Sequence, residues 1–162
     1  MVDNSKPLLL LDVDGVLFPF RNASPPPGYL LVESAESTVW IKASHGEALR
    51  NLSSLFELVW ATTWEHKANQ IIGPALGLDQ LPVIEFNEGR AGETWKLPAV
   101  RRYVGDRPFV WIDDELFMDA YRWAEGLSQP CRLVRPMAGV GMTDEQLQQV
   151  EAFGRFLRDR PA

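Results

Sequence analysis

The sequence has one cysteine, Cys131, and two histidines, His45 and His66, in 162 residues. A lone thiol excludes an intrachain disulfide framework, and a Cys/His zinc cluster lacks ligands. Long apolar runs are missing as well. The first, Leu8 to Leu11, stops at Asp12, far short of the roughly 20 residues that span a bilayer. No leader-like apolar stretch with a small-residue cleavage site precedes it. A cytoplasmic protein with no membrane partner is the expectation. Positive charge is in the minority: 16 Lys+Arg against 22 Asp+Glu leave −6. Non-specific affinity for nucleic acid comes from cations that neutralise phosphates, so this balance argues against general binding to a polyanion, though not against a local basic patch. Three catalytic templates are also absent: the GxxxxGK[ST] phosphate loop, GxGxxG and the GxSxG elbow.

What is present is an ordinary globular composition, 46% hydrophobic and 23% charged, in a chain of single-domain length. The hydrophobic period alternates along it. Residues 8–13 (LLLLDV) form an apolar run suited to a strand covered on both faces. Over 45–56, Ala48, Leu49, Leu52, Leu55 and Phe56 make one helical stripe. A second strand follows at 58–61, then a helix over 65–76 striped by Ala68, Ile71, Ile72, Ala75 and Leu76. The run 82–86 (PVIEF) predicts a third strand with Pro82 at its start. A helix over about 95–104, a strand at 108–112, a helix over 115–125 and a fifth strand at 131–134 complete the alternation. The last helix opens at Thr143, with Gln146 closing a capping box, and runs to about Arg158.

Strand then helix, five times over, predicts an α/β fold: a Rossmann-like three-layer sandwich with a five-stranded parallel sheet and helices on both faces. Residues 19–44 interrupt the alternation with Pro25-Pro26-Pro27-Gly28 and two strand-like pieces at 29–33 and 38–42. They read as a β-hairpin flap inserted after strand one, too short to be a domain. One domain over 1–162 is expected.

Ligands of open α/β sheets bind beyond the carboxyl ends of the strands. Strand one ends in Asp12-Val13-Asp14-Gly15, strand two in Thr62-Thr63 and strand four in Asp113-Asp114, while Lys96 opens the helix after strand three. Each feature has a plainer reading. Asp14-Gly15 between apolar runs is a hairpin-turn signal. Asp113-Asp114 and the two threonines suit helix caps, and a single lysine is usually solvated. Their order at successive strand ends favours a common site. Crowded carboxylates repel unless a cation neutralises them, and Mg²⁺ suits a couple of carboxylates, waters and a substrate phosphate. One carboxylate can attack phosphorus, and a second, two residues on, can move the proton. A lysine and a threonine hydroxyl hold the phosphoryl oxygens.

With these residues in view, the sequence resembles the haloacid dehalogenase (HAD) superfamily of phosphohydrolases, in a minimal-cap form, over roughly residues 8–135. The strand-plus-DxDG[VT] motif matches LLLLDVDGV at 8–16; LVWATT at 58–63 and VWIDD at 110–114 match two later motifs. The resemblance implies Asp12 as nucleophile and Asp14 as general acid/base, the latter also a Mg²⁺ ligand through its backbone carbonyl. It implies phosphate contacts from Thr62, with Thr63 the alternative, and from Lys96, and metal ligation by Asp12, Asp113 and Asp114. The implied activity is Mg²⁺-dependent phosphomonoester hydrolysis through an aspartyl-phosphate. Two alternatives stand beside it: a phosphatase healing nucleic-acid 3′ or 5′ ends, and a non-enzymatic phospho-ligand or protein-binding module. The substrate is then a phosphorylated small molecule or a nucleic-acid end. An open site of this kind often takes its lid from a second copy or a partner. The tail from Met142 is similar to small bacterial and phage HAD domains associated with RNA repair. Trp64 and Trp95 adjoin the site and are positioned to stack on a ring; Arg90, Arg101, Arg102 and Arg107 suggest a local basic rim. His45 reads as a helix-start residue and His66 as a surface one.

Overall fold

Four successive leucines, Leu8–Leu11, make the central strand β1, and every one of them is fully buried. The computed structural model describes residues 6–20, 23–87 and 89–161. Residues 21–22 of the 19–44 segment and the two ends of the 1–162 domain lie outside the described residues. After β1 come β2 (Tyr29–Glu33), β3 (Thr38–Lys42), α1 (Ala43–Leu52) and β4 (Glu57–Trp60). A π-helical turn, Ala68–Ile72, then runs into the short α2 (Gly73–Ala75). The chain continues through α3 (Leu97–Val104), β5 (Phe109–Ile112), α4 (Met118–Glu125), β6 (Cys131–Val134) and α5 (Asp144–Arg158).

The main sheet has the order β4-β1-β5-β6, parallel throughout, with Leu8 level with Glu57 on one side and Phe109 on the other. Successive strand residues face opposite ways, which divides the core. Leu9 and Leu11 pack in a cluster with Leu49 and Leu52 of α1 and Val150 and Phe153 of α5. Leu8 and Leu10 pack on the other side with Val100 and Val104 of α3 and Ala120 of α4. Each buried leucine contributes roughly 2 kcal/mol of transfer free energy. Two apolar layers around one sheet give the three-layer arrangement.

The sheet has four strands rather than the five expected. The segment 82–86 joins it by a single parallel bridge between Val83 and Trp60. Trp60 donates its N–H to the Pro82 carbonyl and Ile84 donates to the Trp60 carbonyl, both at 2.9 Å. Pro82 has no N–H to extend the ladder. Helix boundaries shift for local reasons. Over 65–76 the helix widens into a π turn in which the Gly73 N–H reaches back five residues to Ala68, immediately before Pro74, which cannot donate. The helix expected over 115–125 begins only at Met118, because the chain after β5 first turns at Asp114-Glu115 and Phe117 is extended at the N-cap. The Thr143–Gln146 capping box is formed in both directions.

β2 and β3 pair antiparallel, from Tyr29 opposite Lys42 to Glu33 opposite Thr38. Val39 and Ile41 anchor the pair in the α1/α5 layer, leaving Leu30 and Leu31 exposed. Among the described residues no helix is long and apolar enough to cross a membrane.

Candidate active site at the carboxyl edge of the sheet

Parallel strands joined by crossover helices deliver all their carboxyl ends to one edge. Asp12 follows β1 and Asp113 follows β5, its paired neighbour, so two acids 101 positions apart in the chain become neighbours in space. Asp12, Asp113 and Asp114 each place a carboxylate oxygen within 4.8 Å of the others. Lys96, one residue before α3, enters between them. Its ammonium lies 2.7 Å from Asp113 Oδ2 and 3.1 Å from Asp12 Oδ2, and also donates to the Ala61 carbonyl at 3.1 Å. Only 5% of Lys96 is exposed, so the solvated-lysine reading fails: its surroundings are carboxylate, not water.

Two backbone features hold the acids. The Val13 N–H donates to Asp12 Oδ1 at 2.8 Å, and the Val13 carbonyl accepts from Val16, Leu17 and Phe18. The chain therefore curls tightly after β1, and Asp14-Gly15 belongs to this loop instead of a hairpin. Gly15 has φ +74°, and a Cβ there would stand 2.4 Å from the Asp114 Cγ. Only glycine permits that backbone and that approach. Asp113 Oδ1 accepts the Glu115 N–H at 2.9 Å, and Arg135 Nε donates to the Asp114 carbonyl at 3.0 Å. Asp113-Asp114 does not cap α4, whose N-cap position is Phe117.

Burial pushes the Asp12 carboxyl well above the usual carboxylate range; Lys96 opposes this and the Asp113 charge adds to it. Burial alone would lower the Lys96 ammonium, but Asp12 and Asp113 outweigh it and hold Lys96 charged. Asp114 is pushed up to about 6 by burial, then by the charges of Asp113 and Glu115. One buried cation thus faces three acids, a surplus of negative charge that a hard divalent cation with oxygen ligands would relieve.

Asp14 is half-buried on the same cleft and stands outside that triad. Its Oδ2 accepts a hydrogen bond from Trp64 Nε1 at 3.2 Å. Burial raises its carboxyl and the Trp64 hydrogen bond offsets part of the rise. Thr62 is fully buried, its Oγ1 accepting the Trp64 N–H at 3.2 Å, whereas Thr63 is exposed and lines the cleft. The cleft itself encloses about 200 Å³, with Phe20, Arg90, Trp95 and Glu115 around Asp12, Asp14, Lys96 and Asp114. Phe20 and Glu115 carry no motif of their own; only their places beside the first and last acidic motifs point to them.

The expected basic rim does not assemble. Arg90 lines the cleft. Arg101 and Arg102 lie in the last turn of α3, the end away from Lys96. Arg107 precedes β5 and pairs with Glu57 at the start of β4, donating also to the Lys6 carbonyl, so it belongs to the opposite sheet edge. His45 is buried with Nε2 against the Met142 carbonyl at 3.0 Å, while His66 is exposed and pairs with Glu85 at 2.7 Å. Neither reaches the cleft.

The family described as the HAD domain in Swiss Army Knife RNA repair proteins matches the chain over residues 8–147. No curated protein and no solved structure matches it.

Proposed function

Because the chain belongs to the HAD-domain family of Swiss Army Knife RNA repair proteins, and with it to the phosphatase-type hydrolases, we propose that it removes terminal phosphate from nucleic-acid ends through an aspartyl-phosphate on Asp12, with Mg²⁺ as its metal. The observation that carries this reading is the Asp12–Lys96–Asp113 arrangement with Asp114 beside it and Asp14 two residues from the nucleophile. Phosphate on a macromolecular end also suits a cleft this small and open, since the rest of such a substrate lies outside it.

Asp12 attacks phosphorus and the ester oxygen leaves. Asp14, whose burial favours a held proton, gives that proton to the leaving oxygen, so the departing group is a neutral alcohol. Asp14 then takes a proton from water, which attacks the same phosphorus, breaking the bond to Asp12 and releasing inorganic phosphate. Lys96 and the Thr62–Thr63 turn hold the phosphoryl oxygens, Thr63 from the cleft wall and Thr62 by fixing the turn. A divalent cation held by Asp12, Asp113, Asp114 and the Asp14 carbonyl would neutralise charge on those oxygens. The β2–β3 pair serves as a small flap, and a second copy or a partner completes the lid. The alternative of a phospho-ligand-binding module needs neither a nucleophile nor a proton carrier, and the carboxylates at Asp12 and Asp14 support the enzymatic reading instead.

The test is phosphate release from 3′- and 5′-phosphorylated oligonucleotides and from small esters, with Mg²⁺ or with chelator, for the native chain and Asp12→Asn. Release should require metal and fall by at least a thousandfold in the variant. Undiminished turnover by Asp12→Asn would overturn the mechanism.

A further inference from the structure

We infer that Arg90 and Trp95 form a subsite for the nucleotide adjoining the scissile phosphate, an inference that rests on the reading of a nucleic-acid end as substrate. Trp95 directly precedes Lys96, and its ring centroid lies 5.8 Å from the lysine nitrogen. Phe86 packs against that ring at 5.2 Å and 65°, which fixes its plane. The Arg90 guanidinium lies over the same ring, 4.6 Å from its centroid. Among the described arginines stacked on an aromatic ring, Arg90 over Trp95, Arg132 over Phe153, Arg135 over Phe117 and Arg160 over Phe156, Arg90 is the one that lines this cleft. Lys96, Arg107, Arg155 and Arg158 are each matched to a carboxylate; among the described residues no acid pairs with Arg90, and an aromatic face orients it instead.

Position gives the stack its meaning. Arg90 and Trp95 line the cleft that has Asp12 and Asp14 in its wall, and the exposed ring of Phe20 borders the same space. All three side chains line the same cleft as Asp12 and Asp14, so a nucleoside attached to a phosphoryl group held there adjoins them. A guanidinium presents two parallel N–H donors that match the oxygens of a phosphodiester, and aromatic rings accept a base or sugar face without reading its sequence. A simple phosphate ester has no neighbouring phosphodiester and no base. The subsite therefore discriminates a strand end from a small phosphorylated molecule, and does so without sequence preference.

The experiment compares kcat/KM on a phosphorylated oligonucleotide with kcat/KM on p-nitrophenyl phosphate, for the native chain, Arg90→Gln, Arg90→Lys and Trp95→Ala. The oligonucleotide-to-small-ester ratio should fall about tenfold in Arg90→Gln and Trp95→Ala, carried by KM. Arg90→Lys, which keeps the charge and loses the fork, should fall between. In an Asp12→Asn background, oligonucleotide binding measured against salt should lose about 0.7 of its log–log slope when Arg90 is removed, the value for one phosphate contact on a single strand. A ratio within twofold of native for both Arg90→Gln and Trp95→Ala, with an unchanged slope, overturns the subsite while leaving the phosphatase reading intact. A native chain that cleaves p-nitrophenyl phosphate and no oligonucleotide overturns the nucleic-acid substrate, and the subsite with it.

Discussion

Lys96 is the residue on which the site balances. It sits between two acids that would otherwise face each other in a low-dielectric pocket, and its own burial is tolerable only because both are there. Removing it as Lys96→Met should cost about 3–5 kcal/mol in denaturant unfolding at pH 7.5 without metal, the range for one partner lost from a buried pair. The sign of its pH dependence is also fixed. With the cation gone, Asp12, which burial already pushes up, holds a proton in the native state at pH values where the unfolded chain has released it. The variant should therefore regain stability as pH falls from 7.5 to 5.5. A variant as stable as the native chain at both pH values would contradict the ion-pair geometry. Asp14 shows what residue-by-residue reading misses. The DxDG motif suggests it for the proposed proton carrier, but nothing in the motif indicates that Trp64, 50 residues on, donates a hydrogen bond to it.

At the level of elements, the site depends on two loops being held to each other. The loop that carries Arg90, Trp95 and Lys96 is tied to the start of α4 through Thr94 and Asp119. Asp119 accepts from the Thr94 N–H at 2.9 Å and from its hydroxyl at 2.6 Å, and Thr94 Oγ1 in turn accepts the Phe117 N–H at 2.9 Å. Those contacts hold Asp119 below the usual carboxylate range, even though burial acts the other way. The β1 loop meets the β5 turn at Gly15, where a side chain would strike Asp114. Gly15→Ala should cost about 1–3 kcal/mol for backbone held at positive φ and weaken Mg²⁺ binding about tenfold or more by displacing Asp114. Metal titration of activity, with a thermal melt alongside, separates the two effects. An unchanged metal affinity would mean that Asp114 is not a ligand. Much of this level was legible beforehand: β1, β4 and β5 were evident as apolar runs ending in polar residues, and α5 as a capped stripe. The expected third strand was over-read, because PVIEF has strand composition while its backbone pairing depends on what lies beside it and on a proline that cannot donate.

For the whole molecule, the net charge of −6 is less informative than where the acids lie. Asp12, Asp113 and Asp114 meet at one sheet edge beside a single lysine, with Asp14 on the same cleft, so the metal-free protein carries a local electrostatic burden. Asp114 titrates at about 6 against an ordinary 3.8. The native state then binds a proton between those values that the unfolded chain has released, and this group's contribution to stability falls as pH rises through that window. Adding Mg²⁺ at pH 7.5 should raise Tm. At 100 times its Kd the gain is about 2.7 kcal/mol, or roughly 5–10 °C for a chain of this size. The gain should shrink as pH drops below about 6, where protons compete for Asp114. An equal Mg²⁺ shift at pH 5 and 7.5 would remove Asp114 from the metal site.

By itself the sequence marked the strands of the sheet, with 82–86 over-read as one more, the polar residues that end them, and that those ends share an edge. These follow from apolar periodicity and from the handedness of parallel crossovers, which are local or general constraints. The tertiary structure alone decided that Lys96 stands between Asp12 and Asp113, that Thr63 rather than Thr62 faces the cleft, and that Arg107 lies at the far end of the sheet from Arg90. These are matters of which side chains face each other across separate elements. That is set by how two apolar layers pack around β1, and no single segment encodes it.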